Sequence, residues 1–338
     1  MTDPFMDELL QASSLLSDAP SWTLLTHQKI DGDATGSASA LFEAGVLAGK
    51  SVSWIGPDPE LPAAYRFLAH TGGYSPCTGA FSFDGPGELY VFLDCSNGTR
   101  SVKGVESMPV GAMVLNIDHH EDNTMFGMVN CVDPESSSTS ELVYRILKAG
   151  DWTLSPRVAE SVYVGIWTDS GGFAFSSTSP RTHRLAAELM ELGVDPGRIA
   201  DLIGQTLTPE GLALWARALS HVRVFGPEGI FAISWLSQAD FDETHAVPSD
   251  TEGLASSMMR IRGVRLSVFL SELDAGKIKA SFRSREGIFA AAEVARALGG
   301  GGHPRAAGAT LHGAIDTWVA DIQRDLERRY AEWAVADR

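Results

Sequence analysis

An α/β protein of two domains is what three features of this 338-residue chain predict, with a mainly parallel, helix-flanked sheet in the first and a smaller mixed sheet in the second. Strand-like and helix-like segments alternate through the first half. Four short groups of metal-chelating side chains each follow an apolar run of β type. Beyond Gly193 the pattern changes to a few strands, two of them joined by a hairpin signal, set among helices.

Residues 21–25 form the first candidate strand, residues 36–48 carry small and apolar side chains at helical spacing, and residues 51–55 read as the next strand. Residues 89–93 and 112–117 are apolar runs, the second broken only by Asn116, as expected of strands buried on both faces of a parallel sheet. Residues 138–149 predict a helix capped by Ser136-Ser-Ser-Thr139, with Glu141 in its first turn. Residues 157–166 have helical spacing over most of their length, although Val162-Tyr-Val-Gly-Ile166 also reads as a β-type run. Pro180 and Gly193 bracket an amphipathic helix over 180–192. A long helical pattern over 198–224, broken at Thr208-Pro209, supplies the connection between domains. The expected domains are therefore 1–192 and 213–338, with a helical linker over 193–212. In the second, strands are expected at 230–235, 264–270 and 277–282, the last two joined by Asp274-Ala-Gly276. Helices are expected there at 250–261, 289–298 and 315–334.

The apolar share of 44% and charged share of 20% are those of an ordinary globular protein. No apolar stretch reaches the roughly 18 residues of a membrane span, and the acidic residues 1–8 lack the basic flank of a secretory signal. Cys77, Cys95 and Cys131 are few and widely spaced, which argues against disulfides and zinc ribbons and makes the cytoplasm the default location. A net charge of −17 argues against a protein that coats long nucleic acid, long duplex included, by neutralising phosphates. A small phosphate ligand held by metals and a local basic patch is compatible with it.

His27-Gln-Lys-Ile-Asp31-Gly-Asp33 spans a strand-to-helix turn, and its spacing lets His27 and Asp31 reach one ion while Asp33 turns toward a second. The same aspartates also suit turn and cap positions. Gly36 and Ser37 then open a helix whose N–H groups favour an anion. Asp94 ends the run 89–93, and Asp169 follows 162–166; either alone reads equally as a local cap. Asp118-His119-His120 is more specific: adjacent histidines on extended backbone point oppositely, so one can ligate a metal while the other meets substrate. Strand ends in a parallel sheet converge on one crevice. So many carboxylates and imidazoles meeting there suggest a two-metal hydrolase, because divalent cations neutralise that charge. In the second domain Gly299-Gly-Gly-Gly-His303 can bring backbone amides to a phosphate, or serve as a hinge or helix cap. Arg260, Arg262, Arg283 and Arg285 lie in a stretch, 260–305, with nine Lys/Arg against four Asp/Glu. Arginine matches phosphate bidentately.

Taken together, His27-x-x-x-Asp31-x-Asp33, Asp94, Asp118-His119-His120 and Asp169 resemble the four motifs of the DHH phosphoesterase superfamily. Gly299 to His303, with Ser281-Phe-Arg-Ser-Arg285, resembles the DHH-associated C-terminal domain. Phe126-Gly127, Asn130-x-Val-Asp-Pro134, Ser136 to Glu141 and Asp169-Ser-Gly-Gly-Phe-x-Phe-Ser-x-Thr-x-Pro-Arg-Thr182 are similar to the bacterial branch of nanoRNases and 3′-phosphoadenosine-5′-phosphate phosphatases. Gln28-Lys-Ile30 and Cys95-Ser-Asn-Gly98 depart from that branch and bear on substrate preference. The resemblance implies a DHH catalytic domain and two Mn²⁺ ions, with Mg²⁺ or another divalent ion as the alternative. His27 and Asp31 would hold the first, Asp33, His119 and Asp169 the second, and Asp94 both. His120 would act on the scissile phosphate, with Asp118 supporting the histidines. Arg262, Arg283, Gly301, Gly302, His303 and Arg181 would bind substrate; Phe173 and Phe175 suit base stacking or core packing. The implied substrates are short oligoribonucleotides, linear dinucleotides or 3′-phosphoadenosine 5′-phosphate, and a homodimer is compatible. An inorganic pyrophosphatase or exopolyphosphatase is the alternative enzyme, and a non-catalytic nucleotide sensor the alternative of another class.

Overall fold

Strands in the middle of a parallel sheet are covered on both faces, and those of the first half are: beyond its first residue, every position of Ser21–Thr26, Glu88–Leu93 and Met113–Asp118 is buried. The computed structural model describes residues 5–83, 85, 87–204, 207–274, 276–285 and 287–336; residues 1–4 of the acidic N-terminus and Ala275 of the hairpin signal lie outside them. It divides into two compact units, Met1–Gln205 and Thr206–Arg338.

The first unit runs α1 (Met6–Asp18), β1 (Ser21–Thr26), α2 (Gly32–Leu47), β2 (Ser51–Gly56), β3 (Tyr74–Pro76), β4 (Glu88–Leu93), β5 (Met113–Asp118), β6 (Val129–Val132), α3 (Thr139–Ala149), α4 (Pro156–Asp169), α5 (Pro180–Glu191) and α6 (Pro196–Gly204). Its sheet has the order β3-β2-β1-β4-β5-β6, with every pair parallel. The strand order reverses at β1 and β4, and in such a sheet the crevice lies beyond the C-terminal ends at that switch point. His27 is one residue past β1, Asp94 one past β4, and Asp118 the last residue of β5. Trp22, Trp54, Leu24, Leu89 and Phe92 are wholly buried in or beside this sheet.

Two local expectations are corrected here. Helix α2 begins at Gly32, not near Gly36, because Asp31 Oδ1 accepts from the amides of Asp33 and Ala34, both at 3.1 Å, and so caps it. Asp169 does not follow a strand; it is the last residue of α4, which Ser155 caps and Pro156 opens. Periodicity cannot separate a short buried helical face from a buried strand, and 162–166 is such a face. The three-residue edge strand β3, with its Pro76, carries too little pattern to read from sequence.

A buried ion-pair cluster ties the start of α5 to the segment before α3. Asp133 Oδ2 accepts from Arg145 Nη1 at 2.7 Å, Ser136 Oγ at 3.0 Å and Arg181 Nη2 at 3.3 Å. Burial pushes the Asp133 carboxyl up, but the Arg145 and Ser136 hydrogen bonds outweigh it and hold it below its ordinary range. A depressed folded value means that this stabilisation is fully present above the unfolded value, near 4, and fades as pH falls through the lower folded one. Asp133→Asn is therefore expected to cost about 2 kcal/mol at pH 7 and less at pH 3, measured by urea unfolding at both. An equal cost at both pH values would contradict this.

The second unit runs α7 (Pro209–Ser220), β7 (Arg223–Phe225), β8 (Phe231–Leu236), α8 (Gln238–Thr244), α9 (Leu254–Met258), β9 (Leu266–Asp274), β10 (Lys277–Ser284), α10 (Ala291–Ala297), β11 (Gly301–His303), β12 (Ala306–His312) and α11 (Ile315–Ala336). Helices α6 and α7 thus occupy the stretch expected as linker. The sheet order is β11-β12-β10-β9-β8-β7; β8 and β9 are parallel and the other pairs antiparallel, so the sheet is mixed. Ile278, Ala280 and Phe282 of β10 pack with Val294, Ile322 and Leu326 on one face. Phe269 packs with Leu214 and Met258 on the other. Among the described residues no helix is long and apolar enough to cross a membrane.

Candidate metal centre

Three strand ends and two helix ends deliver the chelating side chains to one place. His27 Nε2 lies 3.3 Å from Asp94 Oδ2 and 3.8 Å from Asp31 Oδ1. His119 Nε2 lies 3.4 Å from Asp169 Oδ2 and 3.7 Å from Asp94 Oδ1. The ligand atoms fall into three overlapping groups, His27/Asp31/Asp94, Asp33/His119/Asp169 and Asp94/His119/His120, each spanning no more than 4.8 Å. Two donors on one cation with bonds of about 2.1 Å stand about 3.0–3.4 Å apart. The observed separations are close to that, and the mixed imidazole and carboxylate donors suit a divalent transition ion, so these residues fit the metal. All six sequence-predicted ligands are brought together, with Asp94 central.

The charge distribution explains why such a cluster wants a cation. Asp33, His27 and Asp94 are buried, and buried carboxylates need partners. Burial, then the Asp94 and Asp169 charges, raise the Asp33 carboxyl well above its ordinary value. Burial, together with Asp94 and Asp31, pushes Asp169 up to about 6 against the opposing pull of His119. Asp94 moves the other way: burial would raise it, but the His27 hydrogen bond and the charges of His119, His27 and His120 hold it below the carboxylate range. Burial would lower His27, yet its hydrogen bonds to Asp31 and Asp94 raise it to about 11. Asp94 adopts φ +60°, a left-handed conformation that aspartate tolerates better than most residues. Its amide donates to Ile117 O at 3.0 Å, which carries the β4–β5 pairing one residue further and pins the carboxylate.

The histidine pair departs from expectation. Both rings reach Asp94 Oδ1 at 3.7 Å, with centroids 4.8 Å apart. They follow the end of β5, where strand alternation no longer applies. His120 Nδ1 is 2.7 Å from Asp118 Oδ1, and burial notwithstanding, Asp118 and Asp94 raise the ring to about 9. Sequence reasoning missed Asn123, whose Nδ2 donates to Asp118 Oδ2 at 2.6 Å and Asn116 Oδ1 at 2.8 Å. It also missed Thr139 and Ser140 as partners of Asp33 and Asp94, reading their serine-rich run as a helix cap and as a stretch of family resemblance.

Other expected site residues are engaged elsewhere in the first unit or belong to the second. Arg181 Nε donates to Glu141 Oε1 at 2.5 Å and Nη2 to Glu135 O at 2.8 Å. Phe173 packs on Tyr163 and His183, while Phe175 is exposed. In the second unit Arg283 lines a cavity of ≈ 350 Å³ with Lys279, Ser281 and Ser256, its Nε 3.2 Å from Ser256 Oγ. Arg262 is exposed. Gly301 and Gly302 are not in a loop but in β11, where a Cβ on Gly302 would stand 2.7 Å from Ala306 O and one on Gly301 would meet open space. The His303 side chain lies outside the described structure.

Known proteins resemble this chain in sequence and fold. The DHH family N-terminal domain matches residues 22–166, and the DHHA1 domain matches residues 232–328. The bifunctional oligoribonuclease and PAP phosphatase NrnA of Thermus thermophilus is 36% identical over 292 residues, which cover 86% of this chain and 84% of that protein. The protein of the same name from Bacillus subtilis is 27% identical over 327 residues, 94% of this chain and 97% of that one. Among solved structures, an exopolyphosphatase-related protein from Bacteroides fragilis superposes with a TM-score of 0.86 at 25% identity, covering 95% of this chain and 96% of that one. With both domains and near-full-length relatives in agreement, this chain belongs to the DHH family of phosphoesterases.

Proposed function

We propose that the chain hydrolyses very short phosphoesters with two Mn²⁺ ions: oligoribonucleotides of a few residues, linear dinucleotides, or 3′-phosphoadenosine 5′-phosphate. The observation that carries this is the pair of donor groups, His27/Asp31/Asp94 and Asp33/His119/Asp169, linked by a third group, Asp94/His119/His120, that shares a residue with each. The first group would hold one ion and the second the other, with Asp94 shared. Divalent ions bound there supply an acidified water and offset charge on the phosphoryl oxygens. Imidazole donors favour Mn²⁺ over Mg²⁺, which prefers an all-oxygen set. Asp118, steadied by Asn123, fixes the His120 ring through Nδ1 and leaves Nε2 to donate to the scissile phosphate or leaving oxygen. In the second unit Arg283 and Arg262 would bind phosphate through their guanidinium groups, and Gly301, with no Cβ, would admit a ligand close to the backbone. The names of the Thermus and Bacillus relatives support nucleotide substrates. The three free cysteines support a reducing, cytoplasmic setting.

With Mn²⁺ present, the chain is expected to cleave dinucleotides or the bisphosphate nucleotide at least about tenfold faster than a 20-mer RNA, a margin of roughly 1.4 kcal/mol in the barrier. Faster attack on the 20-mer would overturn the short-substrate reading. The Bacteroides protein is described as exopolyphosphatase-related, which favours inorganic polyphosphate as a second reading, and a phosphate-release assay on polyphosphate and pyrophosphate separates the two.

A further inference from the structure

Helix α3 enters the metal centre by its first turn. The Thr139 amide donates to Asp33 Oδ2 at 2.6 Å and the Ser140 amide to Asp33 Oδ1 at 2.9 Å. Both oxygens of one carboxylate are thus held by successive amides at the positive end of a helix. The Thr139 hydroxyl donates to Asp94 Oδ1 at 3.0 Å, so one residue grips both carboxylates. All four residues are buried, so the grip is shielded from competing water.

The helix start is itself clamped. Ser138 Oγ caps it by accepting from the Glu141 amide at 3.0 Å. Glu141, wholly buried, accepts from Ser137 Oγ at 2.6 Å, Thr182 Oγ1 at 3.2 Å and Arg181 Nε at 2.5 Å. Arg181 also donates to Glu135 O and Asp133 Oδ2, on the segment leading into the helix. A guanidinium distributed over these acceptors is spent on protein groups and fixes the approach of α3.

We infer that Thr139 and Ser140, braced by the Glu141–Arg181 ion pair, are positioning residues that orient Asp33 and Asp94 for the cations, and that Arg181 acts through this brace rather than on substrate. The inference rests on the metal reading of the site. Outer partners of this kind set the direction of ligand lone pairs and are worth about 10–100-fold in metal affinity. Losing the Thr139 hydroxyl frees Asp94 Oδ1 to rotate away from the shared position. Losing the Arg181 guanidinium leaves Glu141 buried with an unbalanced charge and loosens the whole turn.

The test is calorimetric titration with Mn²⁺ alone, followed by kinetics on a dinucleotide at saturating Mn²⁺. Thr139→Val is expected to weaken Mn²⁺ binding about tenfold and Thr139→Ser, which keeps the hydroxyl, less than about twofold. Arg181→Gln should weaken Mn²⁺ binding by a similar factor while KM stays within about twofold of wild type. A general loss of stability would lower the melting temperature without separating valine from serine at position 139. If Arg181→Gln does not fold, Arg181→Lys, which retains the charge, is measured in the same way. Unchanged Mn²⁺ affinity in Thr139→Val, beside a wild type that binds, overturns the inference and spares the metal reading. A KM raised tenfold with unchanged Mn²⁺ affinity in the Arg181 variant makes that residue a substrate contact and also overturns it. A wild type that takes up no Mn²⁺ overturns the metal reading as well.

Discussion

Asp94→Asn is expected to reduce hydrolysis of a dinucleotide by more than about 100-fold, beyond what loss of an outer-sphere partner costs. Asp94 is the one carboxylate common to the His27/Asp31 and His119/His120 groups. An amide keeps its shape and can still meet Thr139 Oγ1, now 3.0 Å away, but it brings a neutral oxygen and an NH₂ group that cannot ligate. It also strips the charge that His27, His119 and His120 all face within 3.7 Å. Two measurements check this. Steady-state turnover with Mn²⁺ should collapse, and the rise in melting temperature that Mn²⁺ gives the wild type should shrink, since a ligand stabilises only in proportion to its binding. An Asn variant that keeps wild-type turnover would remove Asp94 from the shared position. One that loses turnover while keeping the full thermal shift would give it a role other than holding metal.

Gly165→Val is expected to have the largest effect on stability. Gly165 lies inside α4 where that helix meets α2 and the first turn of α3. A Cβ there would stand 1.9 Å from Ser140 Oγ and 2.7 Å from Asp33 Oδ1, distances no side chain tolerates without movement. The space cannot open on the other side, because a Cβ on Gly36 of α2 would already lie 2.5 Å from Ser161 O of α4. Overpacking a tight core by one or two carbons costs about 1–3 kcal/mol, and valine at this contact should reach or exceed the upper end. Alanine, with a single added carbon, should cost less. Because Ser140 and Asp33 are the atoms struck, Gly165→Ala should also weaken Mn²⁺ binding in the protein that remains folded. Urea unfolding at constant m-value and a Mn²⁺ titration read the two effects separately. A valine variant as stable as wild type would mean that α2 and α4 do not approach so closely.

Much of this architecture is legible in the chain because its strands announce themselves. Residues 89–93 are apolar without interruption and 112–117 are apolar but for Asn116, a pattern that suits a doubly covered strand, and they match β4 and β5. The long helices α5 and α11 carry amphipathic spacing with clear start or stop residues. Short pieces were not legible. The strand β11 is Gly301-Gly302-His303, three residues whose composition reads as a loop and whose pairing is fixed by β12. Likewise α4 absorbs an apolar run that reads equally as a strand.

The kinds of chelating side chain, their grouping and their order along the chain are local facts, and His27, Asp31, Asp33, Asp94, His119 and Asp169 could be named from them. Which atoms face each other, and what holds them there, is decided by packing between segments far apart in sequence. Thr139 lies 45 residues from Asp94 and 106 from Asp33, and no spacing rule connects them. Arg181, 40 residues from Glu141, has the look of a phosphate contact until the fold delivers a buried carboxylate to it. The physical reason is common to both: a buried charge must find its partner wherever the fold brings one, and that meeting is set by how the helices close over the sheet.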